Sequence, residues 1–317
     1  GQVMYAGDYK GLEASNTITG QMLRTTYKFK EQFREPTGYF ELENASLHNL
    51  TGLNVKLPFG VITVIAGVSG SGKSSLMECF IKSCNQPIIS IRQKDIGINV
   101  RSTPATYLDI ADPIRKLFAQ ANKSNMALFS FNSKGACPAC GGKGVIVSEM
   151  AFMESIETVC DVCHGDRYNK DVLKHLYKGK NIAQVMKMTV DEACCFFSDA
   201  PFLPKLQAMA EVGLGYLHLN QSMSTLSGGE LQRVKLSSQL NEKGAIFVID
   251  EPTNGLHIND VNKLLTLFNK MVDNGNSLFL IEHSEEVIKS ADYIIELGPG
   301  AGMDGGELLF AGTPADM

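Results

Sequence analysis

The stretch Val61-Ile62-Thr63-Val64-Ile65-Ala66-Gly67-Val68-Ser69-Gly70-Ser71-Gly72-Lys73-Ser74-Ser75-Leu76 limits the fold more than any other. An apolar, β-branched run of strand length meets a glycine-rich turn, and the turn opens into a helix beginning near Lys73. Gly67, Gly70 and Gly72 let successive backbone N–H groups converge on an anion that any Cβ would crowd. Ser69, Ser71 and Ser75 fill the small positions of the same loop. The helix N-terminus adds partial positive charge. Lys73 is spaced to reach β- and γ-phosphate oxygens, and the Ser74 hydroxyl to reach Mg²⁺. Such a loop implies a nucleoside triphosphate, ATP or ADP being the expected ligands, in an α/β nucleotide-binding core.

Three later stretches extend that site. Ile88-Ile89-Ser90-Ile91-Arg92-Gln93 reads as a strand ending in Gln93, whose amide oxygen suits a metal ligand. Leu226-Ser227-Gly228-Gly229-Glu230 starts a helix with an S-x-x-E capping pattern. Two glycines weaken a first helical turn, so Gly228 and Gly229 serve another purpose. Their bare N–H groups, with Ser227, make a second phosphate site. Ala245–Asp250 is a continuous apolar strand tipped by Asp250 and Glu251. Asp250 is placed to hold Mg²⁺ and Glu251 to polarise the attacking water. Ser277–Ile281 is another buried strand, followed by His283, expected to touch the γ-phosphate or the water.

More than 130 residues separate Gln93 from Leu226, too many for a simple connector. Within them lie Cys137-Pro138-Ala139-Cys140 and Cys160-Asp161-Val162-Cys163, 19 residues apart. Two such knuckles suit one tetrahedral, structural Zn²⁺. Disulfides conflict with a reducing compartment, and a redox C-x-x-C needs no second pair. His164 and His175 are fallback ligands, and Cys79, Cys84, Cys194 and Cys195 read as small core residues.

A formal charge of −5 and a pI near 5.7 exclude a chain-wide basic surface, so any nucleic-acid contact must be local. No apolar run reaches the length of a membrane span and no charged-then-apolar leader opens the chain, so a soluble, cytoplasmic protein is expected, with no membrane partner. Residues 15–36 read as a polar, mildly basic linker or loosely packed helix. Gly1–Asp8 can be laid over Gly306–Thr313, both a glycine, a short apolar strand and Ala-Gly, which makes the opening residues the expected tail of a preceding homologous unit.

The ordered set resembles an ATP-binding cassette: Walker A at Gly67–Ser74, the glutamine loop at Gln93, the LSGGE signature at 226–230, Walker B at Ile246–Asp250 followed by Glu251, and the switch His283. A four-cysteine module ahead of the signature narrows the likeness to the UvrA family, specifically to its C-terminal cassette half. Also similar are His48-Asn49-Leu50, Arg101–Tyr107, Phe129–Asn132, Cys163–Asn169, Leu226–Leu236 and Leu297-Gly298-Pro299-Gly300-Ala301-Gly302. The resemblance implies a P-loop ATPase core with an inserted helical signature lobe that carries the zinc module. Its expected divisions are residues 1–39 as tail and linker, 40–91 and 244–317 as the ATP-binding lobe, and 92–243 as the signature lobe, with the module at 134–168.

The family also implies a second cassette, in tandem or in a homodimer, because the signature of one cassette faces the Walker A of the other. It implies duplex DNA and UvrB as partners in nucleotide excision repair, with duplex deformability as the readout. A UvrA-like paralogue in drug tolerance or self-resistance is the other reading. Ile98 and Ala136 stand where UvrA sequences usually carry basic residues. From Lys134 to Lys180 seven basic residues meet six acidic ones, so charge alone marks no DNA surface. Arg101, Lys134, Lys143 and Arg167 are the expected backbone contacts, by position only.

Overall fold

The computed structural model describes residues 2–24, 30–92, 102–148 and 156–316. The expected sites Gln93 and Arg101 lie outside these residues. In chain order, helices α1 (Tyr9–Ala14) and α2 (Ile18–Leu23) precede the hairpin strands β1 (Gly38–Leu47) and β2 (Leu50–Phe59). Strand β3 (Ile62–Ala66), helix α3 (Lys73–Ser83) and strand β4 (Ile88–Ile91) follow. Next come α4 (Pro104–Tyr107), α5 (Ala111–Ala121), the hairpin β5 (Val145–Ser148) and β6 (Ile156–Val159), and the short pair β7 (Leu176–Tyr177) and β8 (Lys180–Asn181). Helices α6 (Ile182–Met186), α7 (Val190–Phe196), α8 (Leu203–Glu211) and α9 (Gly228–Gln239) lead to β9 (Ile246–Asp250). The chain closes with α10 (Ile258–Asp273), β10 (Ser277–Ile281), α11 (Glu285–Ser290), β11 (Tyr293–Gly298) and β12 (Glu307–Gly312).

Two compact units result. One comprises Gly1–Ile96, Glu211–Gly213 and Gly228–Met317, the other Gly97–Ala210 and Leu214–Ser227. The first is built on a six-stranded sheet in the order β12-β11-β3-β10-β9-β4, parallel except for the edge strand β12. β3 and β10 are buried at every position, which is why they read as unbroken apolar runs rather than alternating ones. Phe80 on α3 packs edge-on against Phe279 of β10 at 5.0 Å and Phe40 of β1 at 5.2 Å. That contact fixes the phosphate-loop helix on the sheet. It also gives Phe40 a packing role, while Tyr39 remains half exposed.

The second unit centres on an aromatic cluster. Phe118 of α5 meets Phe129 at 5.4 Å and Tyr177 at 5.7 Å, and Tyr177 stacks on Phe197. Thr103 caps α4, Asn181 caps α6 and Thr189 caps α7, each closing a reciprocal capping box, so these short helices satisfy their orphan N–H groups locally. No helix among the described residues is long and apolar enough to cross a membrane.

Two expectations need correction. Cys195 is exposed and Cys194 half buried, while Cys79 and Cys84 are half buried and pack against the edge of the core of the first unit instead of lying within it. The segment at 30–36 is no solvated connector either. Lys30 Nζ and Arg34 Nη1 pair with Asp292, whose side chain is fully buried, and Arg34 Nη2 reaches Asp273 Oδ1 at 2.7 Å. Asp292 Oδ2 also accepts the Ile62 N–H at 3.0 Å, which ties this segment to the start of β3.

Candidate functional site

The cleft is formed at the C-terminal ends of the parallel strands, where helix-opening loops converge. Its lining is Asn49, Ser69, Gly70, Gly72, Lys73, Ser74, Ser75, Asp250, Glu251 and Ile281, around a volume of about 230 Å³. Gly72 caps α3 at φ 103°, a left-handed conformation that turns the loop directly into the helix. Lys73 Nζ donates to the carbonyls of Gly67 and Val68 at 2.7 and 2.8 Å. Ser71 is fully buried beneath the loop, where its hydroxyl packs without a hydrogen-bond partner among the described residues.

Electrostatics mark the same cleft. Burial pushes the Lys73 ammonium down, against the pull of Glu251 and Asp250. Burial pushes the Asp250 carboxyl up, and the neighbouring Glu251 carboxylate adds to it. Two carboxylates beside one lysine form a donor set that fits a divalent cation and its phosphate ligands. Glu251 adopts φ 48°, rare for a residue with a side chain, while its N–H donates to the Ile281 carbonyl at 2.9 Å. Strain of this kind costs of order 1–3 kcal/mol and gathers at working sites.

Helix α9 begins at Gly228, as the glycine pair suggests, and neither Gly228 nor Gly229 lines the cleft. Ser227 immediately precedes it. His283 is exposed just past the end of β10 and also lies outside the lining. Its N–H is held by Glu282 Oε2 at 3.1 Å.

Three residues here have no role assigned by the sequence motifs, although Gln232 and Lys235 lie within the UvrA-like stretch Leu226–Leu236. Glu282 is buried and accepts the Thr253 N–H and hydroxyl at 2.9 and 2.5 Å, so it joins the turn after Asp250-Glu251 to the His283 end of β10. Gln232 Nε2 donates to the carbonyls of Asp250 and Ile91 at 2.6 and 3.3 Å. Lys235 Nζ donates to the Ser90 carbonyl at 2.7 Å. These two anchor α9 across the ends of β9 and β4. A carboxylate closing a fully apolar strand was the available signal for Glu282; nothing in the α9 sequence distinguishes Gln232.

In the second unit the four cysteines of the paired knuckles are buried with their sulfurs all within 4.8 Å of one another. Cys137 Sγ lies 4.0 Å from Cys160 Sγ and Cys140 Sγ 3.6 Å from Cys163 Sγ, too far for disulfides. The Gly144 N–H points at Cys140 Sγ at 3.2 Å. Backbone N–H groups of Cys163 and Val162 hold the Cys160 thiol down at about 7, while burial pushes Cys163 up to about 12. Four converging sulfurs with N–H support fit a tetrahedral thiolate site. His164 and His175 stand outside the cluster, and His175 packs edge-on against Phe129.

Of the positional DNA candidates, Lys134 and Lys143 are exposed. The Arg167 guanidinium lies 5.2 Å from the centre of the Phe131 ring, and burial lowers its pKa. That places part of its role in packing beside the cysteines.

Residues 50–254 match the family described as ABC transporter. The chain is 42% identical to UvrABC system protein A of Staphylococcus aureus (strain COL) and 41% to that of Bacillus subtilis (strain 168). Each alignment runs over 354 residues, covering all of this chain and 37% of the relative. It thus spans little more than a third of the length of these curated relatives. Among solved structures it superposes on UvrA2 from Deinococcus radiodurans with a TM-score of 0.90 at 41% identity, covering 99% of this chain and 42% of that one. With the Walker motifs converging on one cleft and the four cysteines gathered in the inserted unit, the chain belongs to the UvrA family of ABC ATPases.

Proposed function

We propose that this chain is the ATP-hydrolysing cassette of a UvrA-like protein that senses damage in duplex DNA during nucleotide excision repair. The observation that carries the reading is the convergence of Lys73, Ser74, Asp250 and Glu251 on one cleft beneath a phosphate loop. The N–H groups of the loop and of the first turn of α3 cradle the phosphates, and Lys73 leaves its two carbonyl partners to meet them. Ser74, Asp250 and Gln93 would hold Mg²⁺, which when bound neutralises charge on the β- and γ-oxygens. Glu251 accepts the proton of the attacking water, and His283 orients that water or the γ-phosphate.

Ser227, Gly228 and Gly229 serve the opposing cassette, in tandem or in a homodimer. This is supported by the position of both glycines outside the cleft of their own chain. Cys137, Cys140, Cys160 and Cys163 would hold Zn²⁺, which cross-links the two knuckles. Arg101, Lys134, Lys143 and Arg167 contact the DNA backbone, UvrB receives the damaged site, and the protein works in the cytoplasm.

The full chain carrying Glu251→Gln tests the chemistry. ATP binding is expected to persist while turnover falls at least about 100-fold, the scale of a lost general base. A parental rate overturns the assignment. Duplex binding measured across a salt series should weaken linearly with log salt. A flat line removes DNA from the proposal.

A further inference from the structure

The turn at His48-Asn49 and the glycine-rich stretch after β11 have no part in the chemistry above, yet both lie against the phosphate loop. β1 and β2 close on His48-Asn49 between the paired Leu47 and Leu50, with His48 at φ 53°. From this turn Asn49 Nδ2 donates to the Gly70 carbonyl at 3.1 Å, and His48 Nδ1 lies 3.1 Å from Ser75 Oγ. From the other stretch the Gly302 N–H donates to the same Gly70 carbonyl at 3.1 Å, and the Gly306 N–H to the Ser71 carbonyl at 3.0 Å. Gly306 sits at φ 88°, and a Cβ there would run into the Asn49 carbonyl oxygen.

A phosphate loop works only if its N–H groups face the anion and its carbonyls do not. In a trans peptide the two point opposite ways, so holding one aims the other. At the Ser71–Gly72 peptide Gly306 holds the carbonyl, which turns the Gly72 N–H away from Gly306. Lys73 takes the carbonyls of Gly67 and Val68, but a bound triphosphate competes for that ammonium. The holds on Gly70 and Ser71 involve no such competing group. Glycines at 70 and 72 loosen these peptides; at the Gly70–Ser71 peptide the Ser71 N–H returns to the Val68 carbonyl at 3.1 Å, and the hold on the Gly70 carbonyl fixes the same peptide from its other end.

We propose that Asn49, together with the backbone of Gly302 and Gly306, is a positioning clamp that presets the phosphate loop for the β-phosphate. Asn49 is its single side-chain member, half buried at the rim of the cleft. The clamp rests on nucleotide binding at this cleft, so its test carries a separate control for that reading.

Calorimetric titration of the full chain with MgATP and MgADP compares the parent with Asn49→Ala, Asn49→Asp and Lys73→Ala. Asn49→Asp keeps the size and loses the donor. Both Asn49 variants are expected to weaken ATP and ADP alike by about tenfold, the scale of one lost hydrogen bond. Parental affinity in Asn49→Ala overturns the clamp, as does an aspartate variant that binds like the parent, which would mean packing alone. A loss confined to ATP in Asn49→Asp also overturns it, because added charge near the γ-phosphate then explains the result. If Lys73→Ala binds both nucleotides as tightly as the parent, the nucleotide reading has failed and the clamp falls with it. If Lys73→Ala loses binding while the Asn49 variants do not, the clamp alone falls.

Discussion

Around the phosphate loop, β3 is buried along its whole length and Phe80 and Phe279 close the core beneath α3. Around the four cysteines, the hairpin β5–β6 leaves Ile146 and Val159 facing solvent. The loops of the cysteine region hold Gly141, Gly142, Gly144, His164, Gly165 and Arg167 at positive φ, and the buried cluster they enclose is the four cysteines. Both regions aim backbone N–H groups at an electron-rich centre. The first is held by apolar burial that exists before any ligand arrives. The second gathers four thiols whose charged forms need a cation to share the site.

Chelation of the Zn²⁺ proposed for the four cysteines is the strongest test of that contrast. Structural zinc contributes on the order of 10 kcal/mol to small cysteine-ligated folds, so chelation at neutral pH should abolish hydrogen-exchange protection in residues 136–148 and 156–168. Protection of β3 and β10 should persist. Equal loss in both regions would break the comparison.

Phe80→Ala probes the other side. A fully buried phenylalanine cut to alanine costs about 3–5 kcal/mol, read as a lower denaturation midpoint of the nucleotide-binding unit. The cost should be the same with and without chelator. A smaller effect would mean that apolar burial does not carry this unit.

Asp292→Asn comes next, at about 3 kcal/mol, because it strands Lys30 and Arg34 beside a site they no longer neutralise. Burial alone would raise the Asp292 carboxyl; the bonds from Lys30 and from the Ile62 and Arg34 N–H groups outweigh it and hold it below the usual carboxylate range. A depressed folded-state pKa gives stability that is present above the unfolded value near 3.9 and disappears as pH falls through the folded one. Parent and variant should therefore differ fully at pH 7 and converge below about pH 4. A pH-independent difference would assign the loss to packing instead of charge.

Much of the cleft was legible because phosphate chemistry constrains local sequence. The spacing from Gly67 to Ser74 and the carboxylates ending one apolar strand each carry their reason within a few residues, as does the glycine pair opening α9 outside the cleft. Paired knuckles are equally local, and their four sulfurs do meet. Asp292 was not legible, since its partners lie 258 and 262 residues away and the stretch bearing them reads as polar linker. Gln232 escaped for the same reason, since a glutamine on a helix means nothing until its acceptor is placed; Glu282 showed as a carboxylate closing an apolar strand, but its donor Thr253 did not.

The sequence by itself determined the parallel-sheet cassette, the phosphate loop and the paired cysteine knuckles, because hydrophobic period, glycine spacing and ligand spacing are properties of neighbouring residues. Tertiary structure alone decided which carbonyls of the loop are held by Asn49, Gly302 and Gly306, how α9 is anchored to β9 and β4, and why residues 30–36 are bound to the start of β3. Those contacts join groups distant along the chain, and a hydrogen bond has meaning only once distance and direction are set.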